Sequence, residues 1–396
     1  MSNAVPNHWS SARMRRRIAR RYRAERLFRL LGLAAITLSA GFLVVLLGSM
    51  LVRGASGFTE TRIALPIDLR GAVPTEQAVD AAADAAWPKQ GGGALLSDGA
   101  WLEVREAVRA DPSLLARRAV LDVPAASAID MAYKGKGTPE AEAAVAALGG
   151  RLSRGFNMRF LTGADATDPT RVGIWGALKG SLLTMIVTIA LAFPVGLLSA
   201  LYLEEYAPRN RWTALIEVSI NNLAAVPSII FGLLGLALFL GTFGLPRSGA
   251  VVGGLTLALM TMPVIVITAR SAIRAVPPSI RDAALGIGAS PVQVVFHHVL
   301  PLALPGILTG TIIGIARALG ETAPLLMIGM RAFIAAPPAK LTDPATVLPV
   351  QIFLWSDEVS QGYVEKTSAA ILVLLVLLLA LNGLAIHLRN RFETRW

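Results

Sequence analysis

The chain has 396 residues, of which 54% are hydrophobic and only 16% are charged. Because a soluble protein usually carries roughly a quarter charged residues, this composition excludes a purely soluble protein and favours one that is largely embedded in a membrane. Cysteine is absent, which excludes disulfides, thiolate catalysis and cysteine metal sites. The four histidines show no ligand spacing, so we expect neither a metal site nor a cofactor.

The net charge of +11 includes a cluster of arginines that directly precedes the first apolar stretch. A basic flank beside an apolar span is typical of a cytoplasmic anchor. No stacking aromatic residues or recognised motifs accompany these arginines, so we do not expect nucleic-acid binding. We predict a basic cytoplasmic N-terminus over 1–29 and an uncleaved first span over 30–52, which is longer than the roughly 7–15 apolar residues of a signal peptide.

Further apolar stretches long enough to cross the hydrocarbon as helices follow along the chain. Pro194 and Pro227 lie inside two of them, which membrane helices tolerate, and Gly176, Gly180 and Ser181 predict a close-packed helix face. Basic residues concentrate in alternate loops, so we expect both termini in the cytoplasm. The six predicted spans are 30–52, 176–203, 212–240, 250–273, 303–329 and 368–388.

Between the first two spans, residues 53–170 change to a composition rich in alanine and charged residues. Thr75 and Thr138 are predicted N-caps, and the second is followed by Pro139 at the first helical position. The glycines at 91–93 predict a flexible break. We therefore predict a periplasmic helical insert between the first and second spans. Its role as a spacer or as a docking surface stays open.

The loop 277–301 between the fourth and fifth spans has the pattern of two short helices. Ser279, with Asp282 three residues later, predicts a capping-box-like start of the first helix, and Gly286 and Gly288 predict its end. Ser290 with Pro291 predicts the start of the second. The orientation of the spans places this loop in the cytoplasm.

This loop resembles the signature of the permeases of ATP-binding-cassette (ABC) importers, an acidic-Ala-Ala triplet followed by a glycine and a Leu-Pro pair. The sequence departs from that signature in two places, with Asp282 where glutamate is usual and His298 where isoleucine is usual. The resemblance implies an all-α integral membrane protein with the type I importer permease fold and a transmembrane domain over 171–390, followed by a cytoplasmic tail over 391–396. It also implies a contact with the ATPase through Asp282, Ala283, Ala284, Gly288, Leu300 and Pro301.

Three stretches, 201–207, 222–232 and 317–324, resemble the permeases of bacterial phosphate importers. The third stretch contains Arg317 and Glu321, which are the only ionisable residues that the sequence places deep within spans two to six. Because a charged side chain inside the bilayer costs free energy, such residues are candidates for a functional role. A guanidinium presents a planar fork of N–H donors that matches phosphate oxygens. A carboxylate could accept a hydrogen bond from a protonated phosphate. We therefore expect Arg317 and Glu321 to line the substrate pathway, with Thr322 as a weaker candidate. A structural ion pair between Arg317 and Glu321 is the alternative.

The chain contains no Gly-x-x-x-x-Gly-Lys-Ser/Thr loop, so it is not expected to hydrolyse ATP. The resemblance implies two copies of a separate ATPase subunit, a homologous second permease subunit and a periplasmic phosphate-binding protein, at the bacterial inner membrane. The alternatives are import of sulfate, molybdate or phosphonate, a secondary anion carrier, and a membrane scaffold. A carrier would predict inverted repeats and several intramembrane acids, neither of which is evident.

Overall fold

The structure, a computed structural model, describes residues 12–70, 74–330 and 333–392. The beginning of the predicted basic segment 1–29 and most of the tail predicted at 391–396 lie outside these residues. The chain divides into two compact units, Met1–Arg53 and Gly54–Trp396. The described residues of the first unit belong to helix α1, which runs from Ala12 to Ala55. This helix includes both the predicted span 30–52 and part of the arginine-rich flank before it.

The second unit contains the remaining long apolar helices. By length and composition, the described residues contain five helices that could cross a membrane, or up to six if one bent pair counts as a single span. Pro194 and Pro263 both lie inside helices, as expected for membrane helices, in which neighbouring groups satisfy the freed carbonyls. The helices are α7 (Trp175–Leu201), α8 (Arg211–Ala224), α9 (Ser228–Gly235), α10 (Ala250–Arg274), α11 (Pro278–Gly286), α12 (Pro291–Gln293), α13 (Leu300–Gly320), α14 (Ala323–Met327), α15 (Leu348–Ser356) and α16 (Gln361–Phe392).

The third predicted span, 212–240, is not a single helix. Helices α8 and α9 meet at a bend of 102°, and Pro227 between them is extended, with φ −56° and ψ 137°. Proline has no N–H for the helical ladder and disfavours helical backbone in the residue before it. The tolerance for proline that holds at Pro194 therefore fails at Pro227, because here the chain turns instead of continuing.

The fifth predicted span, 303–329, also ends earlier than expected. Helix α13 stops at Gly320, and Glu321 has extended backbone, with φ −78° and ψ 125°. The short helix α14 follows and ends in a turn at Gly329, where φ is +91°. At the other end, a π-helical stretch, Val294–Val299, joins α12 to α13. The second helix predicted in the loop is therefore continuous with this span.

The insert is an α/β unit, so the prediction of a helical insert is wrong for its core. Its three strands form an antiparallel sheet in the order β2-β1-β3, with Leu65 opposite Leu121 and Thr61 opposite Arg154. The predicted helices after Thr75 and Thr138 are confirmed, and both threonines accept the capping hydrogen bond. The elements are β1 (Thr59–Asp68), α2 (Glu76–Ala86), α3 (Ala100–Ala110), β2 (Arg118–Pro124), α4 (Ser127–Tyr133), α5 (Pro139–Leu148), β3 (Leu152–Phe156) and α6 (Met158–Thr162).

The core of the insert lies between the sheet and its helices. Ile63, Leu65 and Ile67 alternate along β1 and are buried against Val79 and Val104 of α2 and α3. Gly92 packs closely on α2, because a side chain at this position would collide with the backbone of Ala83, and it begins a short 3₁₀ helix, Gly92–Leu95. The insert is therefore a folded unit with its own hydrophobic core.

Small residues on α7 let a neighbouring segment approach closely, as the sequence predicted. The Ser181 Oγ accepts a hydrogen bond of 2.8 Å from the backbone N–H of Leu348. A Cβ at Gly180 would collide with the carbonyl oxygen of Thr346. The start of α15 is thereby fixed against α7 by both shape and a buried hydrogen bond.

Candidate functional sites

The loop between α10 and α13 contains the two short helices α11 and α12, which begin in different ways. Helix α11 begins at Pro278, and its N-cap is Pro277 without a side-chain hydrogen bond, so the predicted Ser279–Asp282 capping box is absent. Ser290 does cap α12, and the reciprocal bond from its backbone N–H to Gln293 completes a capping box.

The turn between these two helices depends on Gly288. Its φ of +92° is a backbone conformation that favours glycine. The N–H of Gly288 bonds to the Leu285 carbonyl at 2.9 Å, and the N–H of Ala289 bonds to the Ala284 carbonyl at 3.1 Å. These are the two bonds of a Schellman helix end. The glycine that the sequence singled out therefore sets the geometry of the loop.

The six residues assigned to this loop fall into two groups. Asp282, Ala283 and Gly288 are exposed, whereas Ala284 is buried against the ends of α7 and α10. Leu300 and Pro301 lie in the first turn of α13, where Pro301 lines a cavity of about 690 Å³. The structure thus brings the first four residues together in one turn-helix unit and places the last two beside it.

Beside this loop lies a group of paired charges that the sequence reading did not identify. We call it the arginine–glutamate cluster. It joins the ends of α7 and α10 to α8 and α11, and it lines a cavity of about 890 Å³. The cluster consists of Glu204, Glu205, Glu217, Arg270, Arg274 and Arg281.

Within the cluster, Arg270 is the central donor. Its Nε bonds to Glu204 at 2.7 Å and its Nη2 bonds to Glu217 at 2.6 Å. Arg274, one turn later on α10, also reaches Glu204 at 2.7 Å. In the sequence alone, these arginines indicate only the orientation of the spans. Glu204 and Glu205 belong to the stretch 201–207, and nothing in their spacing indicates their partners.

Arg317 and Glu321 contact each other weakly. Their Nε–Oε1 distance is 3.4 Å, which is longer than the roughly 2.7–2.9 Å of a strong charge-assisted bond. The Arg317 side chain is 53% exposed and that of Glu321 is 19% exposed. The spacing of four residues predicts that the two side chains share one helix face, but Glu321 lies just beyond the end of α13. Thr322 follows at the N-cap of α14 without a side-chain cap bond.

The two interruptions of the apolar helices meet near this pair. A Cβ at Gly232 of α9 would lie 2.7 Å from Cα of Pro324 in α14. Val226, next to the bend between α8 and α9, packs on the same hydrophobic cluster as Ala318 and Leu319. Glu321 and Thr322 lie in the short segment that joins α13 to α14 beside this cluster.

A second group of buried charges fixes the insert to the beginning of α16. Lys134 Nζ bonds to Asp130 at 2.7 Å and to Glu365 at 3.0 Å, and Lys136 reaches the other Glu365 oxygen at 2.7 Å. Lys366 donates to the carbonyl of Gly57 at 3.0 Å. The insert is thus joined to α16 by ion pairs that are largely shielded from solvent.

The segment between the insert and α7 is held in a similar way. Tyr363 donates to the carbonyls of Ala166 and Thr167, and Trp355 Nε1 donates to Asp165 at 3.0 Å. Burial raises the pKa of the Asp165 carboxyl above its usual value. These contacts extend the rigid connection from the insert to α15 and α7.

Two regions of the chain match known families. Residues 192–394, about half of the chain, match the family described as the binding-protein-dependent transport system inner membrane component. Residues 15–143 match a domain of unknown function, DUF3333. The first match contains α8–α15, the loop, the arginine–glutamate cluster and the Arg317–Glu321 pair, and the second contains most of the insert.

Curated relatives are similar to part of the chain. The chain is 36% identical over 156 residues to the phosphate transport system permease protein PstA 1 of Mycobacterium tuberculosis (strain CDC 1551 / Oshkosh), covering 39% of this chain and 51% of that protein. It is 31% identical over 214 residues to PstA of Yersinia pestis, covering 54% and 71%. It is 30% identical over 240 residues to the probable ABC transporter permease protein YqgI of Bacillus subtilis (strain 168), covering 56% and 80%. The match thus spans about half the length of the Mycobacterium relative and more of the other two.

Proposed function

Because this chain belongs to the family of binding-protein-dependent transport system inner membrane components, we propose that it is the permease subunit of an ATP-driven importer of inorganic phosphate. The chain is a multi-pass membrane protein, with helices long and apolar enough to span a bilayer. The relatives named PstA support phosphate as the substrate. The subunit itself is non-catalytic, and separate ATPase subunits supply the energy.

The observation that carries the substrate proposal is the exposed guanidinium of Arg317 near the end of α13. Its contact with Glu321 is long, so its donors are not consumed by a tight bidentate pair. A guanidinium presents a planar fork that matches two phosphate oxygens. We propose that Arg317 binds the passing anion. Glu321 accepts a hydrogen bond from a protonated phosphate oxygen, and Thr322 lies beside it in the pathway.

The meeting of interrupted helices near Arg317 supports the same location. Transporters commonly bind substrates where helices are broken, because the freed backbone groups can bind polar ligands. Here the bend at Pro227 and the end of α13 contribute to one packing cluster through Val226 and Leu319. We propose that the substrate pathway passes this junction.

The exposed face of α11 supports contact with an ATPase. Asp282 and Ala283 are exposed there, together with the apolar side chain of Leu285 and that of Ile287 just after the helix, which is 83% exposed. A small alanine-faced helix can enter a groove on a partner, and the buried Ala284 fixes it to this chain. We propose that this face, with Gly288, Leu300 and Pro301 beside it, contacts the ATPase.

The full importer would contain two ATPase copies, a homologous second permease subunit and a periplasmic phosphate-binding protein. We place it in the bacterial inner membrane with both termini in the cytoplasm, since basic residues flank the predicted inner ends of the spans. The insert over 53–170 would then lie in the periplasm and the loop over 277–301 in the cytoplasm.

Purification of the chain with its endogenous partners tests this proposal. We expect an ATPase subunit to co-purify and the associated binding protein to bind phosphate. A binding protein that prefers sulfate, molybdate or phosphonate would contradict the substrate assignment. A chain that transports the anion without any ATPase would be a secondary carrier and would contradict the importer assignment.

A further inference from the structure

The side chain of Arg281 connects α11 to two other helices. Its Nη2 bonds to Glu205 Oε1 at 2.8 Å and to the Ile273 carbonyl at 3.1 Å, and its Nη1 bonds to the Val276 carbonyl at 2.6 Å. Ile273 lies in the last turn of α10 and Val276 lies two residues beyond its end, where a cation is also favoured by the helix dipole. One guanidinium thus fixes the loop helix to α10 and joins both to the end of α7.

Glu205 lies in a π-helical stretch, Tyr202–Tyr206, that continues α7. Such stretches are rare and often occur at functional sites. Adjacent residues on a helix project in different directions, so Glu204 and Glu205 reach different partners. Glu204 pairs with Arg270 and Arg274 on α10, whereas Glu205 pairs with Arg281 on α11.

The cluster contains three arginines and three glutamates, so its formal charges cancel. Arg281 and Glu205 are 23% and 11% exposed, which is a partly desolvated environment where a pair is stronger than on an open surface. The cavity beside the cluster leaves space for displacement of the loop. The Glu205–Arg281 bond therefore resists a change in the distance between α11 and α7 more than surface ion pairs would.

We propose that Glu205 and Arg281 are positioning residues that make α11, the end of α10 and the end of α7 move as one body during transport. This inference rests on the proposed function, in which the exposed face of α11 contacts an ATPase. Movement imposed on α11 would reach α7 through this pair. Since Ser181 on α7 holds the start of α15, displacement of α7 would be transmitted further into the helical core.

The first test measures the distance between α11 and α7 in the full chain in lipid nanodiscs, without any ATPase. The chain has no cysteine, so Ile287→Cys, just after the end of α11, and Leu198→Cys on α7 accept unique spin labels at two exposed positions. We expect a narrow distance distribution in the parent chain and a broadened or shifted one with Glu205→Gln, which keeps the side-chain shape. Glu142→Gln, at an exposed position of α5, is the matched control and should leave the distribution unchanged.

The second test measures phosphate uptake per ATP hydrolysed by the complete complex in proteoliposomes. We expect Glu205→Gln to keep the ATPase bound but to lower uptake per ATP about ten-fold. Glu205→Asp, which retains the charge, should recover part of the coupling. Arg281→Lys should resemble Glu205→Gln, because a single ammonium cannot serve a carboxylate and two carbonyls in one plane.

Unchanged label distances and unchanged coupling in Glu205→Gln would overturn the proposal. A parent complex that imports a different anion would contradict the substrate assignment. In that case a distance change with Glu205→Gln would still support the positioning role of the pair, because the label measurement requires no transported substrate.

Discussion

Lys134 Nζ in the insert lies 3.0 Å from Glu365 Oε2 in α16, and the two side chains are only 3% and 5% exposed. The residues are 231 positions apart along the chain. Breaking a buried pair by removal of one partner is costly, because it leaves an uncompensated charge. The insert is therefore an integral part of the fold around α16.

We predict that Lys134→Met destabilises the protein by about 3–5 kcal/mol, since Glu365 and Asp130 would each lose a buried partner. Thermal unfolding in detergent would measure the loss. Lys89→Met, at an exposed position of the same insert, should change stability by less than about 0.5 kcal/mol.

A double variant tests whether the contact itself is responsible. Lys134→Met combined with Glu365→Gln should be less destabilised than the sum of the two single variants, by about 0.5–3 kcal/mol. Strict additivity of the two changes would contradict the direct coupling between these side chains.

Gly288→Val should impair the loop without a steric clash. No atom lies within 4 Å of a Cβ at this position, so the cost arises from the positive φ, at about 1–3 kcal/mol. We expect weaker ATPase association at unchanged membrane insertion, measured by co-purification. Gly286→Ala, also in open space but without a positive φ, is the control. Equal ATPase association in both variants would show that the turn geometry is unimportant.

The predicted orientation is measurable with a membrane-impermeant maleimide. Glu106→Cys in the insert should be labelled in intact spheroplasts, and Ile287→Cys in the loop should be labelled only after permeabilisation. Both positions are exposed in the described structure, and the chain has no other cysteine. The reverse pattern of labelling would contradict a periplasmic insert and cytoplasmic termini.

Arg317→Ala should reduce phosphate uptake at least ten-fold while the assembled complex remains in the membrane. The reason is the loss of a fixed donor fork for the anion. Glu321→Gln should have a smaller effect, since the amide keeps an acceptor oxygen. If the two residues were only a structural pair, each single variant would lower the abundance of the complex and the double variant would restore both abundance and uptake.

The sequence predicted most of the helical elements because their signals are local. A run of apolar residues identified α7, α10 and α16, and the threonine N-caps identified α2 and α5. The end of a helix at Gly288 was likewise readable, since a glycine near a helix end predicts a left-handed turn. These features depend on neighbours within a few residues.

The sheet in the insert was missed because its strand signals conflict. Strand β1 contains Pro66, and a proline argues against a strand. The structure accommodates it because Pro66 lies beyond residues 59–63, the part of β1 that pairs with β3, so one side of the strand is open there. The Lys134–Glu365 pair was invisible for a different reason, since it joins residues far apart in the chain.

One of the charged sites could be predicted from local sequence signals, whereas the other could not. Arg317 and Glu321 could be singled out because a charge within an apolar run is locally conspicuous. Their weak contact could not be predicted, because it depends on the helix ending at Gly320. The arginine–glutamate cluster assembles from α7, α8, α10 and α11, and no spacing along the chain encodes such a convergence.

Uptake of radiolabelled phosphate into proteoliposomes that contain the purified complex, its binding protein and internal ATP tests the central claim most directly. We predict uptake that requires ATP and the binding protein, is displaced by unlabelled phosphate, and is unaffected by a hundred-fold excess of sulfate, molybdate or a phosphonate. Uptake that persists without ATP, or that sulfate, molybdate or a phosphonate displaces as effectively as phosphate, would contradict the assignment of this chain as a phosphate importer permease.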